Sequence, residues 1–117
     1  MTRFSSEESV AISRLTVILF DLRMFGDLGE FETMLGVAPV QAAKMISPRG
    51  ESMEMTQDVA LLISNGLAAL DGYPHSLSKS EISHRLCDAD FDRLKRLRSL
   101  GATLFPHLGG EPRSLQP

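Results

Sequence analysis

The chain has no tryptophan, one tyrosine and one cysteine among its 117 residues, and each shortage disfavours a class of protein. The single Cys87 cannot form an intramolecular disulfide, and no Cys or His spacing in the sequence resembles a zinc site. Because unpaired bases are held mainly by stacking on aromatic rings, a single-stranded nucleic-acid binder is also disfavoured. We therefore expect a protein that binds no metal and no cofactor.

A surplus of basic residues and a long apolar run are missing as well. The 12 basic and 15 acidic residues give a net charge of −3, whereas a general binder of polyanions needs cations to neutralise phosphates. The longest apolar run, residues 17–20, is far shorter than the roughly 20 residues that span a bilayer. The first ten residues, MTRFSSEESV, carry acidic residues where a signal peptide has basic ones. We expect a cytoplasmic protein without a membrane segment.

Helix signals follow one another along the chain, and strand patterning is nearly absent. Ser5 with Glu8, and Ser78 with Glu81, have the spacing of capping boxes, in which two side chains satisfy the free amides of a helix start. The first four predicted helices run from Ser5 to about Phe25 and over 27–35, 38–46 and 51–70, with a turn at 47–50. A fifth helix begins at Ser78, and a last one runs from Asp88 to Gly101. We predict an all-α bundle of two long helices and three or four short ones, with one domain over 1–105 and an irregular tail over 106–117.

The segment RLTVILFDLRMF, residues 14–25, is apolar on two sides of the first predicted helix. On a helical wheel, one broad apolar face is separated by polar residues from a second stripe, which contains Val10, Val17, Phe20 and Met24. In the long helix over 51–70, Leu61 likewise stands apart from the main apolar face. A helix with two apolar faces needs two packing surfaces.

Two explanations of the second stripe stay open. In the first, the first helix is central in its own domain and the short helices cover both of its faces. In the second, the second stripe contacts another chain. Because the remaining helices are short and modestly apolar, we predict a homodimer or a protein partner. The predicted interface residues are Val17, Phe20, Met24 and Leu61.

No cluster of residues in the sequence has the pattern of a catalytic site. The histidines have no partner at ligand spacing on their own helices, and the acidic groups lie at predicted helix starts, where the helix dipole accounts for them. No glycine-rich loop has the strand-to-helix context of a phosphate site. We expect Cys87 to be a small buried apolar residue. The sequence therefore predicts no catalytic residue and no enzyme.

Residues 78–101 form the alternative candidate, a helix-turn-helix that binds DNA. The second helix of this pair carries Arg93, Lys95, Arg96 and Arg98. A recognition helix contacts bases mainly through its N-terminal part, but that part holds Asp88, Asp90 and Asp92, which would repel phosphates. The basic residues suit the negative end of the helix dipole, and Asp92 and Arg96 have the spacing of a helix-stabilising ion pair. DNA binding is therefore the less favoured hypothesis.

In its length, its all-α pattern and its two-sided segment from Leu15 to Phe25, the chain resembles the QslA-like family of small helical antiactivators of LuxR-type quorum-sensing regulators. The resemblance implies a homodimer without enzymatic activity. It also implies a protein partner, the ligand-binding domain of a transcription factor such as LasR, whose dimerisation or DNA binding would be blocked. No family motif transfers a functional role to individual residues of this chain.

Overall fold

Six α-helices make up the computed structural model, which describes residues 3–46, 54–72 and 77–107. In those ranges the only extended pairing is an isolated antiparallel bridge between Arg3 and Glu54, so the all-α prediction is confirmed. The helices pack into one body whose principal extents are 36 × 33 × 26 Å. The helices are α1 (Ser6–Asp21), α2 (Leu28–Leu35), α3 (Pro39–Ala43), α4 (Gln57–Gly72), α5 (Lys79–Arg85) and α6 (Asp88–Leu104).

The capping signals read from the sequence are present where they were predicted. The Ser5 hydroxyl accepts a hydrogen bond from the Glu8 amide, and the Glu8 carboxylate accepts one from the Ser5 amide. Ser78 and Glu81 form the same pair of hydrogen bonds at the start of α5. Helix α2 ends at Gly36, whose φ of 74° is a left-handed conformation that glycine adopts without strain.

Helix α1 ends at Asp21, four residues before the predicted end at Phe25. Leu22 is extended, with φ −65° and ψ 129°, and its amide donates the last hydrogen bond to the Ile18 carbonyl. Because the chain leaves the helix here, Met24 and Phe25 lie in the connection to α2. The helical wheel therefore does not describe the position of Met24. It applies only to the helical residues of the second stripe, Val10, Val17 and Phe20.

The other helices depart from their predicted limits at one or both ends. Residues 54–56 are not helical, and Glu54 instead pairs with Arg3, so α4 begins at Gln57. Helix α3 stops at Ala43 and is followed by turns, while α6 continues past Gly101 to Leu104. The predicted turn at 47–50 and most of the tail lie outside the described residues, as does the predicted helix start at 51–53.

The core lies where α1, α4 and α6 pack against one another. Helix α2 packs on α4, α3 contacts both α2 and α4, and α5 packs on α1. Each of the three central helices buries one apolar face, which is the arrangement expected when amphipathic helices form a bundle. Fully buried side chains from these helices include Ile12, Leu15, Ile18, Leu19, Leu62, Ile63 and Leu94.

Two glycines allow the central helices to approach closely. A Cβ atom added at Gly66 of α4 would lie 2.7 Å from Cδ1 of the fully buried Leu19 of α1. A Cβ at Gly101 of α6 would lie 3.0 Å from the Cβ of Ala60 on α4. Gly66 weakens helix α4 locally, but it leaves room for the side chain of Leu19 at the crossing.

We predict that Gly66→Val lowers the free energy of unfolding by about 1–3 kcal/mol, because the added methyl groups must displace Leu19 inside a filled core. Urea denaturation followed by circular dichroism measures this loss. The matched control is Gly72→Val at the end of the same helix, where an added Cβ meets no atom within 4 Å. Equal losses in the two variants would contradict a close packing role for Gly66.

Candidate functional site

The four side chains predicted to form an interface, Val17, Phe20, Met24 and Leu61, are all half-buried. Phe20, Met24 and Leu61 pack against the margin of the core. The ring of Phe20 stacks on that of Phe31 in α2, with 4.6 Å between centroids and 13° between planes. Part of the second stripe of α1 is therefore covered by the chain's own second helix.

Phe25 approaches the same ring of α2 from another direction. Its centroid lies 5.3 Å from that of Phe31, with an angle of 62° between the planes, an edge-to-face contact. Phe31 is buried, whereas Phe20 and Phe25 each keep part of their surface exposed. Leu28, three residues after Phe25, is 63% exposed.

We call the surface formed by Phe20, Met24, Phe25 and Leu28 the α1–α2 corner. Val17 lies one helical turn before Phe20 on α1, next to this surface. The sequence analysis found Phe20 and Met24 of this set and missed Phe25 and Leu28. The signal it overlooked is the position of Leu28 in the first turn of a short helix, three residues after Phe25.

Leu61 belongs to the other side of α2. Its two Cδ atoms lie 3.6 Å from the position of a Cβ added at Gly36, which places Leu61 at the C-terminal end of α2. The neighbouring Asn65 donates a hydrogen bond of 2.9 Å from Nδ2 to the Leu35 carbonyl and satisfies one of the free carbonyls of that end. Helix α2 is thus held by α1 at Phe31 and by α4 at its C-terminus, and two of the four predicted residues, Phe20 and Leu61, contact it or its cap.

A buried carboxylate joins α1 to α6. Asp90 is only 2% exposed, and its Oδ2 accepts a hydrogen bond of 2.9 Å from the Arg14 guanidinium. Arg93 lies 3.6 Å from the other carboxylate oxygen. The sequence analysis explained Asp90 by the helix dipole alone and missed this contact, because a partner 76 positions away leaves no local pattern.

The basic residues of the DNA-binding hypothesis do not share one face of α6. Arg93 is engaged with Asp90, and Lys95 and Arg98 line a groove on another side of the helix, whereas Arg96 is exposed and does not line that groove. Asp88 and Asp92 are exposed at the N-terminal end. The expected ion pair between Asp92 and Arg96 is not formed. This distribution gives no continuous basic surface along α6 for a phosphate backbone.

The residues with potential chemical reactivity lie apart from one another. Cys87 is exposed as the N-cap residue of α6, so the expectation of a buried apolar cysteine was wrong; the cap position at the surface explains its exposure. His84 is exposed on α5, His107 contacts Gln57 through ring Nε2 at 3.2 Å, and His75 lies outside the described residues. Over 3–46, 54–72 and 77–107, no three His, Cys, Asp or Glu side chains are grouped to hold a metal ion.

Comparison of the chain with protein-family models, curated proteins and solved structures found no match. None of the described helices is both long enough and apolar enough to cross a membrane. Inference about the function of the chain therefore rests on its own contacts, burial and charges.

We predict that Asp90→Asn lowers the free energy of unfolding by about 1–3 kcal/mol, because the two arginines lose a charged acceptor at a buried site. Asp92 is exposed in the first turns of the same helix, so Asp92→Asn should change the free energy of unfolding by less than about 0.5 kcal/mol. Urea denaturation at neutral pH compares the two. Equal losses would show that Asp90 acts only through the helix dipole.

The cap of α5 predicts a pH dependence of stability. The hydrogen bond from the Ser78 amide lowers the pKa of the Glu81 carboxyl below its ordinary value of 4.5, with the Ser78 hydroxyl as a further cause. A pKa lowered by folding stabilises the fold above the unfolded pKa, and this contribution is lost as the pH falls through the folded pKa. Because Gln keeps a capping oxygen but does not titrate, Glu81→Gln should lose less stability than the native chain between about pH 5 and pH 3. Identical denaturation midpoints for both proteins across that range would contradict this prediction.

Proposed function

We propose that the protein is a non-enzymatic regulator that acts in the cytoplasm by binding a transcription factor through the α1–α2 corner. The observation that carries the proposal is the pair of half-exposed rings, Phe20 and Phe25, held against the buried ring of Phe31. Binding energy at protein interfaces is concentrated in a few large side chains of this kind.

The packing of the corner supports a role as a binding surface. Association has an entropic cost when flexible side chains become ordered, and anchors that are already fixed reduce that cost. Phe20 is held by stacking and Phe25 by an edge contact, while Met24 adds a thioether that adapts to the shape of a partner. The exposed Leu28 extends the apolar surface beyond the part that the fold itself uses.

Charged side chains surround the corner and suit the rim of an interface. Asp21, the residue after Phe20, forms a 2.5 Å ion pair with Arg85 of α5, and Arg23, Asp27 and Glu30 are exposed nearby in the chain. An apolar centre with a charged rim is the usual arrangement of specific protein interfaces. The rim contributes selectivity and association rate, and the rings contribute affinity.

The proposed mechanism is competition for a dimerisation surface. A regulator that binds DNA as a dimer loses active dimers by mass action when another protein occupies the surface through which its subunits pair. The resemblance to QslA-like antiactivators suggests a LuxR-type regulator such as LasR as the partner and a homodimer as the active form. A standard interface buries about 1,600 Å² in total, which requires neighbouring residues of α1 and α2 in addition to the corner.

We predict that Met24→Asp and Val17→Asp each weaken binding to the ligand-binding domain of a LuxR-type regulator by at least about tenfold, because a charge would be buried at an apolar interface. Isothermal titration calorimetry with the purified domain measures the affinity. Leu104→Asp is the control for an added charge on an apolar surface residue, since Leu104 is 44% accessible and lies at the C-terminal end of α6. Circular dichroism verifies that each variant is folded.

Two outcomes would contradict the proposal. One is equal loss of affinity in Leu104→Asp and Met24→Asp, and the other is no association of the native protein with the regulator. Light scattering at several concentrations tests the homodimer separately. Salt-sensitive binding of the native chain to DNA that is lost when Arg93, Arg96 and Arg98 become Ala would instead favour the alternative hypothesis.

A further inference from the structure

A groove lined by α4, α5 and α6 has a volume of about 400 Å³. Each helix contributes residues at three- or four-residue spacing, which belong to a single helix face. On α6 these residues are Phe91, Lys95 and Arg98. The volume lies within the range of about 300–1,000 Å³ that small-molecule sites occupy.

Apolar side chains line the deeper part of the groove. Leu67 of α4 and Ile82 of α5 are buried, and Leu70 and Phe91 are half-buried. All four take part in or pack against the core around the groove, so the surface they offer is fixed by the bundle. A ligand in this part of the groove would gain affinity by removing apolar surface from water.

The entrance of the groove is basic. Lys79, Lys95 and Arg98 come from α5 and α6, are exposed and form no ion pair with any carboxylate of the described residues. Among the described residues that line the groove, the one acidic residue is Asp71. Three cations against one carboxylate leave a local surplus of two positive charges, although the whole chain carries a net charge of −3.

We propose that this groove binds an amphipathic anion: a molecule with one alkyl chain, which lies on Leu67, Leu70, Ile82 and Phe91, and an acidic head group held by Lys79, Lys95 and Arg98. An uncharged apolar ligand would leave the cations without partners, and a polyanion such as nucleic acid would leave the apolar surface uncovered. The apolar lining and the basic entrance together favour a ligand that has both an apolar chain and an acidic group. This site is separate from the α1–α2 corner and does not depend on the function proposed for that surface.

Two sources supply this chemistry, a free fatty acid and the head group with one acyl chain of a membrane lipid. Sodium decanoate, below the concentration at which it forms micelles, is the probe for the free acid. Vesicles of phosphatidylglycerol are the probe for the lipid. Titration calorimetry measures the first and co-sedimentation the second, both with the full chain.

We expect decanoate to bind, and shortening to octanoate should weaken the affinity by about two- to fourfold per methylene removed. Lys95→Glu and Arg98→Glu should each weaken binding by about tenfold or more, because each removes a charged hydrogen-bond donor and adds a repelling carboxylate. Ser83→Trp, at an exposed position of the groove on α5, should block binding by filling the space.

The matched control is Arg96→Glu, which changes the net charge by the same amount on the same helix but lies outside the groove. It should leave the affinity for decanoate within about twofold of the native value. Decylamine hydrochloride, with the same chain length and a positive head group, should bind at least about tenfold more weakly than decanoate.

Binding of decanoate that Lys95→Glu and Ser83→Trp abolish and Arg96→Glu preserves supports the site with a free acid as its ligand. Binding to the vesicles alone, with the same pattern among the variants, supports the site with a lipid as the source. Equal effects of Lys95→Glu and Arg96→Glu would show non-specific attraction and overturn the proposal. So would the failure of both probes to bind.

Discussion

The contact between α1 and the ring of Phe31 determines how much of the second apolar stripe the chain covers for itself. Phe31 is buried, and it receives Phe20 by stacking and Phe25 by an edge contact. The chain leaves the helical path at Leu22, after Phe20, and the connection that follows brings Phe25 to the same ring. One aromatic cluster thus joins the end of α1 to α2 at the α1–α2 corner.

The contact with Phe31 bears on both explanations of the second stripe that the sequence left open. Phe20 and Met24 pack against the core of their own chain, so self-burial accounts for part of the second stripe. Both keep exposed surface, and Leu28 is largely accessible, so a lone subunit does not cover all the apolar area. Exposed charged residues lie close to this surface in the chain, as at the rim of the interface that we propose.

Sequence reasoning succeeded where the responsible interaction is local. The capping boxes at Ser5 and Ser78 and the end of the second helix at Leu35 depend on residues within a few positions, and all are present. It failed where residues outside the predicted helix take part: Phe25 contacts Phe31 in the connection after α1, and Glu54 pairs with Arg3 in an extended bridge before α4. Arg14 gives Asp90 a role that its own helix does not indicate. Of the candidate surface, Phe20 and Met24 were predicted, but their grouping with Phe25 and Leu28 required the tertiary structure.

Helix α6 illustrates why a run of basic residues is a poor guide to function. In the sequence, Arg93, Lys95, Arg96 and Arg98 form one positive segment, yet a helical turn every 3.6 residues distributes them over different sides. Arg93 is neutralised by a buried carboxylate, Arg96 faces solvent, and only Lys95 and Arg98 border an apolar groove. The surroundings of each cation differ: Arg93 lies beside the buried Asp90, whereas Lys95 and Arg98 line the groove for which we propose an anionic ligand. The charge of the segment thus has several separate physical roles, which the linear pattern does not distinguish.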